Sequence, residues 1–236
     1  MTEFDQYRDG YSQQIDNAIA FSGQPQDFFT RAKARYLLDV FSTVRSQLKE
    51  GALRPLDVLD IGCGQGLIHP HLPPEKSGIR LTGIDVAGTV IEEARASNPD
   101  VHYDVYEGTR LPYQDRSFDI AYAIAVMHHV PPDDWKSFLV EAARVVRPGG
   151  LVIIIEHNPV NPLTQKIVRS CPFDQNAVLL HSGQLAKLFR AAGLVDPKRQ
   201  FIIFTPFDTP FFHRLDTSLG WLPLGAQYCM AAHVPS

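Results

Sequence analysis

The sequence has few cysteines, no run of basic residues and no long apolar stretch. Its three cysteines, in 236 residues, are far apart and form no C-x-x-C pair, which argues against a disulfide framework and against a zinc site. No apolar stretch approaches the length of a membrane span, and the first residues are polar and acidic, unlike a secretion signal. We therefore expect a cytoplasmic protein with reduced thiols and no membrane partner.

Lysine and arginine are also fewer than aspartate and glutamate. The formal net charge is -4 at pH 7, so the chain has no general positive field with which to follow a phosphate backbone. Nucleic acid is therefore not expected as a partner. Apolar residues make up 44% of the chain, which is enough to build the core of one sizeable domain.

Strand-like apolar runs alternate with helical segments through much of the chain. The strand-like runs are residues 58–61, 79–84, 117–126, 151–155, 201–205 and 226–232, and the helical segments are residues 28–48, 133–146 and 182–192. Residues 151–155 are dense in β-branched side chains, as is typical of a central parallel strand that is buried on both faces. The alternation predicts an α/β fold with a Rossmann-like, doubly wound and mostly parallel sheet of about seven strands and helices on both faces.

The first 30 residues are polar, with interspersed aromatic side chains. This pattern predicts an N-terminal helical cap over residues 1–30, and residues 31–236 are then expected to form a single domain. Within the cap, the hydroxyl groups of Tyr7 and Tyr11 are candidates to meet the polar groups of a ligand, as is the hydroxyl of Tyr228.

Three glycines alternate directly after the first predicted strand, in Asp60-Ile61-Gly62-Cys63-Gly64-Gln65-Gly66. Glycine lets the backbone turn tightly and lets a ligand approach without meeting a Cβ atom. In an open parallel sheet, ligands bind beyond the carboxyl ends of the strands, which is where this loop is expected. A dinucleotide-binding fingerprint would have glycine at position 67, where Leu67 stands, so the spacing disfavours NAD.

This loop resembles the first motif of the class I S-adenosylmethionine-dependent methyltransferases. Five later segments resemble the family's other motifs in the expected order, namely residues 84–85, 106–112, 117–119, 127–130 and 144–150. The resemblance covers residues 57 to about 157. It implies S-adenosylmethionine as the cofactor and methyl transfer to an oxygen, nitrogen or carbon atom of a small-molecule substrate, by a monomer or homodimer. The chemistry requires no metal in principle, because the sulfonium carbon is already electrophilic.

The resemblance also implies roles for individual residues. The loop would back the methionine part of the cofactor, Asp85 would accept both ribose hydroxyls, and Glu107 would lie beside the adenine amino group. The sequence departs from the family at Tyr106 and Glu107, where glycine and aspartate are usual, which weakens the adenine assignment. The predicted cofactor-binding residues are Asp60, Gly62, Cys63, Gly64, Gly66, Asp85, Val86, Glu107, Gly108 and Ala125.

Candidate catalytic side chains should follow the fourth and fifth strands, since the protein has to align a nucleophile and, where needed, remove its proton. These positions predict His128, Glu156 and His157 as catalytic residues, together with Tyr7 from the cap. For each, a purely structural role at the cavity mouth or a strand end is the alternative. Asp174 is a further candidate pocket residue, and the predicted substrate contacts are Tyr11, His129, Asn158, Asn161, His181 and Tyr228.

Two other functions fit the same motifs. Attack at the γ-carbon of the cofactor's methionine part, by an acceptor or by its own amino group, would release methylthioadenosine instead of S-adenosylhomocysteine. A non-catalytic cofactor-binding protein would also keep the glycine loop and Asp85, because both argue for binding and not for turnover.

Overall fold

The strands and helices are those of a computed structural model that describes residues 19–20, 23–47, 54–174, 176–207 and 209–236. The strands are β1 (Leu56–Ile61), β2 (Ile79–Asp85), β3 (His102–Val105), β4 (Phe118–Ile124), β5 (Val146–His157), β6 (Val195–Ile202) and β7 (Gln227–His233). The α-helices are α1 (Gln26–Gln47), α2 (Pro74–Ser77), α3 (Gly88–Ser97), α4 (Trp135–Val145), α5 (Pro162–Ser170), α6 (Ser182–Ala191) and α7 (Pro210–Ser218).

The seven strands of the described residues form one sheet in the order β3-β2-β1-β4-β5-β7-β6. All neighbouring pairs are parallel except those that involve β7, which runs antiparallel to both β5 and β6. The strand order reverses between β1 and β4, because β2 and β3 continue from β1 to one side and β4 lies on the other. The doubly wound sheet predicted from the sequence is confirmed, and its switch point lies at the carboxyl ends of β1 and β4.

Both faces of the sheet are covered, as the runs of apolar residues in its central strands require. In β5, Val152 and Ile154 pack in the same cluster as residues of α4 and α6, whereas Leu151, Ile153 and Ile155 pack in the cluster of α1. Successive side chains of a strand point to opposite faces, so each layer of helices receives alternate residues of the same strand. Burying both faces fixes the register of β5 and thereby the positions of the polar residues that follow Ile155.

Several elements differ from the prediction. Strand β5 begins at Val146, so residues 147–150, which lie between a predicted helix and a predicted strand, belong to the strand itself, where the register with β4 shifts. Gly149 has φ +78° there, which a bulge accommodates. Strand β3 and helices α5 and α7 were not predicted. Helix α5 begins at an Asn-Pro pair that resembles a loop, but Asn161 caps the helix by accepting from the N–H groups of Leu163 and Thr164.

The predicted cap over residues 1–30 falls mostly outside the described residues, and Tyr7 and Tyr11 lie outside them altogether. Of that range, the structure describes residues 19–20 and 23–30, and α1 begins at Gln26. Among the described helices, none is both long enough and apolar enough to span a lipid bilayer.

Candidate active site

A cavity of about 630 Å³ opens at the carboxyl ends of β1, β2, β4 and β5. Small-molecule and cofactor sites typically have volumes of roughly 300–1,000 Å³. The wall of the cavity includes the loop after β1, the ends of β2 and β4, and polar side chains from α1, β5, β7 and the segment after α5. It therefore lies at the switch point of the sheet, where an open α/β sheet binds its ligands.

The loop after β1 turns through glycines in left-handed backbone conformations. Gly62 has φ +75°, its N–H donates to the Ile84 carbonyl at 2.7 Å, and a Cβ atom there would lie 2.5 Å from the Val126 side chain. A Cβ atom at Gly64, by contrast, would meet no heavy atom within 4 Å. The main chain of the loop therefore faces open space in the cavity, and a ligand can approach it closely.

Buried side chains hold this loop from behind. The carboxylate of Asp60 lies 2.9 Å from His69 Nε2, and Nδ1 of the same ring is bonded to the Tyr103 hydroxyl. Gly66 does not line the cavity, and a Cβ atom there would lie 2.5 Å from that hydroxyl. The structure thus gives Gly66 a packing role where the sequence predicted a cofactor contact, while Asp60 and Cys63 do line the cavity. The sequence analysis did not single out His69, which follows the motif by three residues.

Asp85 ties the end of β2 to the glycine loop. One oxygen of its carboxylate accepts the N–H of Gly64 at 2.8 Å, and the other accepts the N–H of Ala87 at 3.0 Å. Burial raises the pKa of Asp85, against these hydrogen bonds, which lower it. Each carboxylate oxygen has a further lone pair, so Asp85 could still accept hydroxyl groups of a ligand in the cavity, which it lines together with Val86.

The loop after β3 supplies the wall next to Asp85. Tyr106, Gly108 and Leu111 line the cavity there, but Glu107 is exposed and does not. Of the two residues that depart from the family pattern, Tyr106 therefore lines the cavity and Glu107 does not. Ala125, at the end of β4, lines the opposite wall with φ +55°.

At the β5 side of the cavity, two carboxylates surround a buried histidine. His128 Nδ1 lies 2.7 Å from Glu156 Oε2, and its Nε2 lies 3.5 Å from Asp174 Oδ1. His129 Nε2 lies 3.4 Å from the same Asp174 oxygen. The three histidines, including His157, and Asp174 line the cavity, whereas Glu156 lies behind His128. The sequence thus identified the residues of this cluster, but only the structure shows that the carboxylate of Glu156 faces His128 and the N–H of Met127 and does not line the cavity.

The electrostatics of the cluster follow from burial and from the central imidazole. Burial alone would lower the pKa of His128, but the carboxylates of Glu156 and Asp174 outweigh it and raise the pKa to about 10. Burial would raise the pKa of either carboxyl, but the charge and hydrogen bonds of His128 lower both. For His129 and His157, burial and the charge on His128 together lower the pKa to about 4. The free protein therefore carries one imidazolium between two carboxylates, with two neutral imidazoles beside it.

Sequence reasoning missed several polar side chains of the cavity wall, among them Lys33 and Gln227. Lys33, from α1, lines the cavity, and burial lowers its pKa to about 8 in spite of the charges of Glu156 and Asp60. Gln227, from β7, is buried, its Nε2 lies 3.5 Å from His157 Nδ1, and its Oε1 has no hydrogen-bond partner. The amphipathic pattern of α1 predicted the helix. It gave no indication that the side chain of Lys33 faces the cavity.

Four predicted substrate contacts do not line the cavity. The Asn158 amide donates to the carbonyls of Pro223 and Gly225, and Asn161 caps α5, so both hold loops together. Tyr228 is fully buried in the core, where its hydroxyl donates to the Leu180 carbonyl at 2.7 Å. His181 precedes α6 and lies outside the cavity wall. No sequence pattern shows that backbone carbonyls accept from the amides of Asn158 and Asn161 and from the hydroxyl of Tyr228.

The residues near the glycine loop fit the shape and chemistry of an adenosyl group with an amino-acid tail. An open main chain at Gly64, an acceptor at Asp85 and a flat, mostly apolar wall at Tyr106 and Leu111 follow one another along the cavity. In the same order, these three surfaces suit a methionine chain, a ribose and an adenine. The cluster around His128 lies beyond them, which leaves room for a second small molecule.

Comparisons with known proteins agree with this fit. Residues 59–154 match the family described as "Methyltransferase domain". The ubiquinone biosynthesis O-methyltransferase of Rhizobium etli is 29% identical over 194 residues, which cover 77% of each chain. The 27-O-demethylrifamycin SV methyltransferase of Amycolatopsis mediterranei is 38% identical over 100 residues, 39% of this chain and 35% of that protein.

Among solved structures, a methyltransferase of Thermotoga maritima that depends on S-adenosylmethionine superimposes with a TM-score of 0.64. It covers 98% of this chain and 97% of its own, at 20% identity, which shows that the fold is shared. The matched domain, the relatives and the cofactor-shaped cavity at the switch point agree with one another. Residues 59–154 form a methyltransferase domain, and the chain is an enzyme that transfers methyl groups from S-adenosylmethionine.

Proposed function

We propose that this enzyme methylates a hydroxyl oxygen of a small, largely apolar acceptor, which lies beside His128, His129, His157 and Asp174. The observation that carries the proposal is that these four side chains share one cavity with the glycine loop and Asp85. The two curated relatives described above support an oxygen acceptor, since one is named an O-methyltransferase and the other acts, by its name, on an O-demethylated rifamycin.

The apolar part of the cavity wall supports the apolar character of the acceptor. Besides the polar cluster, the same cavity is lined by apolar side chains from the N-terminal region, from α5 and from the residues after β6. They are Ile19, Phe29, Ile167 and Ile203. An acceptor with one polar edge and an apolar body would bury its body against these residues and present its hydroxyl to the cluster.

S-adenosylmethionine supplies a methyl group on a positively charged sulfur. A hydroxyl oxygen attacks weakly while it keeps its proton, so a group near the acceptor has to take that proton up. The ring nitrogens of His129 and His157 and the carboxylate of Asp174 line the cavity and are the groups placed to do so. Glu156 acts as a positioning residue, because it holds both His128 and the N–H of Met127 at 2.7 Å.

The test uses acceptors that differ in one atom. The purified protein is incubated with S-adenosylmethionine and a panel of aromatic compounds in three matched forms: the phenol, the corresponding aniline and the phenol's methyl ether. We expect methylation of phenols only, with S-adenosylhomocysteine formed in equal amount, as followed by mass spectrometry. The variant Glu156→Gln should lower kcat by roughly 100-fold, in the range that general acid–base catalysis contributes, whereas His102→Ala, at an exposed histidine outside the cavity, should not.

Three outcomes would contradict the proposal. Methylation of anilines alone would make nitrogen the acceptor atom. Methylthioadenosine formed without an acceptor would mean attack at the γ-carbon, and label that never leaves the cofactor across a broad panel would support a binding protein. A cytoplasmic location and a monomeric or dimeric state stay predictions from the sequence.

A further inference from the structure

The cluster around His128 brings together the donor atoms that a metal ion requires. One ring nitrogen of His128, one of His157 and a carboxylate oxygen of Asp174 all lie within 4.8 Å of one another. The three residues come from separate segments, after β4, at the end of β5 and after α5. His128 and Asp174 are buried, and all three side chains border the cavity. Two imidazoles and one carboxylate are the donor set of many divalent transition-metal sites.

The first histidine also has the supporting partner that metal-bound histidines usually have. His128 Nδ1 lies 2.7 Å from Glu156 Oε2, so this nitrogen carries the proton and Nε2 is left to face Asp174 at 3.5 Å. A carboxylate behind a histidine fixes the tautomer and the orientation of the ring and makes it a better ligand. Bonds of about 2.0–2.1 Å in a tetrahedral site place neighbouring donor atoms roughly 3.4 Å apart, close to the distance between Nε2 and Asp174.

The second histidine has a comparable partner in Gln227. The amide Oε1 of Gln227 is buried without a hydrogen-bond partner, although its Nε2 lies 3.5 Å from His157 Nδ1. Exchanging the two amide atoms places the oxygen against Nδ1, which can then donate its proton and satisfy that oxygen. The other nitrogen of His157 is thereby left free to coordinate. Both histidines thus have an acceptor on their outer nitrogen.

We propose that His128, His157 and Asp174 bind one divalent transition-metal ion, and that Zn²⁺ is the ion that this donor set suits best. Three protein ligands leave a fourth position open toward the cavity, as in catalytic zinc sites and unlike closed structural ones. The site rests on the proposed function for what fills that position, namely the oxygen of the acceptor. The sequence gave no such indication, since the ligands are 29 and 17 residues apart and form no short motif.

The site explains why so many ionisable groups are buried at one end of the cavity. Two buried carboxylates, Glu156 and Asp174, lie 2.7 and 3.5 Å from the ring of His128, and burying an unbalanced charge is costly. A divalent ion balances both carboxylates while every imidazole stays neutral. A metal-bound oxygen is also held in one place, so the acceptor's hydroxyl would be oriented and its proton more readily lost.

The proposal is tested by binding of Zn²⁺ and Co²⁺ to chelator-treated protein, measured by calorimetry, by elemental analysis after dialysis and by the visible absorption of bound Co²⁺. We expect roughly one ion per chain with Kd at or below about 1 μM. Asp174→Asn and His157→Gln should each weaken Zn²⁺ binding by 100-fold or more. Glu156→Gln should weaken it by about 10- to 100-fold, because it removes the negative charge behind His128 and no ligand.

The matched control is the surface pair His102 and Asp104, whose side chains lie 3.1 Å apart outside the cavity. His102→Ala and Asp104→Asn should leave Zn²⁺ binding unchanged. Binding of S-adenosylhomocysteine by each variant shows that it is folded. Less than about 0.2 ions per chain, or equal affinity in the wild type and Asp174→Asn, would overturn the site. Protein that methylates phenols but binds no metal refutes the metal site alone, and protein that binds metal but methylates no hydroxyl refutes the proposed function alone.

Discussion

Asp85→Asn should weaken cofactor binding without unfolding the protein. The amide has the shape of the carboxylate but keeps only one acceptor oxygen, so its NH₂ group must face the N–H of either Gly64 or Ala87, which lie 2.8 and 3.0 Å from the carboxylate. The N–H that faces it loses its partner and meets a second donor. Hydrogen bonds to charged groups contribute about 1.5–3 kcal/mol each, and loss of one from the loop corresponds to roughly 10- to 150-fold weaker binding.

The assay is calorimetric titration with S-adenosylhomocysteine, and thermal unfolding without ligand shows that the variant is folded. Asp104→Asn is the matched control, because Asp104 belongs to the neighbouring strand and accepts from the Tyr113 hydroxyl outside the cavity. We expect this control to bind like the wild type. An affinity of Asp85→Asn within twofold of the wild type would refute the assignment of Asp85 to the cofactor site.

Two further predictions concern stability, and both can be measured by urea unfolding. Gly66→Ala should cost about 2–4 kcal/mol, because it adds left-handed strain and a collision with Tyr103, whereas Gly88→Ala, where a Cβ meets nothing within 4 Å, should change little; equal effects would contradict this. Burial would raise the pKa of Asp119, but the hydrogen bonds from Arg54 and from the N–H of Asp57, together with the charges of Arg54 and Arg147, outweigh burial and lower it. This stabilisation is therefore complete above the unfolded pKa of about 3.9 and is lost as the pH falls through the lower folded value. Since Arg54 is half exposed, Asp119→Asn should cost about 1–2 kcal/mol at pH 7 and progressively less below pH 4; a constant difference down to pH 2 would contradict the linkage.

The fold could be predicted because its signals are local. Residues 151–155 are apolar throughout, which is typical of a strand buried on both faces, and the glycines after Asp60 mark the turn that follows β1. Strand β3 escaped prediction because its four residues, His102–Val105, lie at the sheet edge and are mostly polar. Helix α5 was missed because its cap and first residue, an Asn-Pro pair, are equally typical of a turn.

The site was only partly predictable, because its chemistry depends on contacts between distant residues. His128 and His157 were identified because they lie at the ends of strands. The same criterion selects Asn158, although its amide donates to backbone carbonyls 65 and 67 residues away. Lys33 reaches the cavity from α1 and lies more than twenty residues before the first strand. No spacing rule connects it with Asp60 or Glu156, so only the folded chain shows the charges it meets.

The position of β7 has a consequence for how the molecule is made. Strand β7 lies between β5 and β6, although residues 227–233 are synthesised after both. Until those residues leave the ribosome, the hydrogen-bonding edge of β5 beside Ile153 and Ile155 has no partner, and β6 has no strand to join. An unpaired apolar edge of this kind is a template for aggregation. The nascent enzyme therefore depends on β7 to protect the same central strand that carries Glu156 and His157.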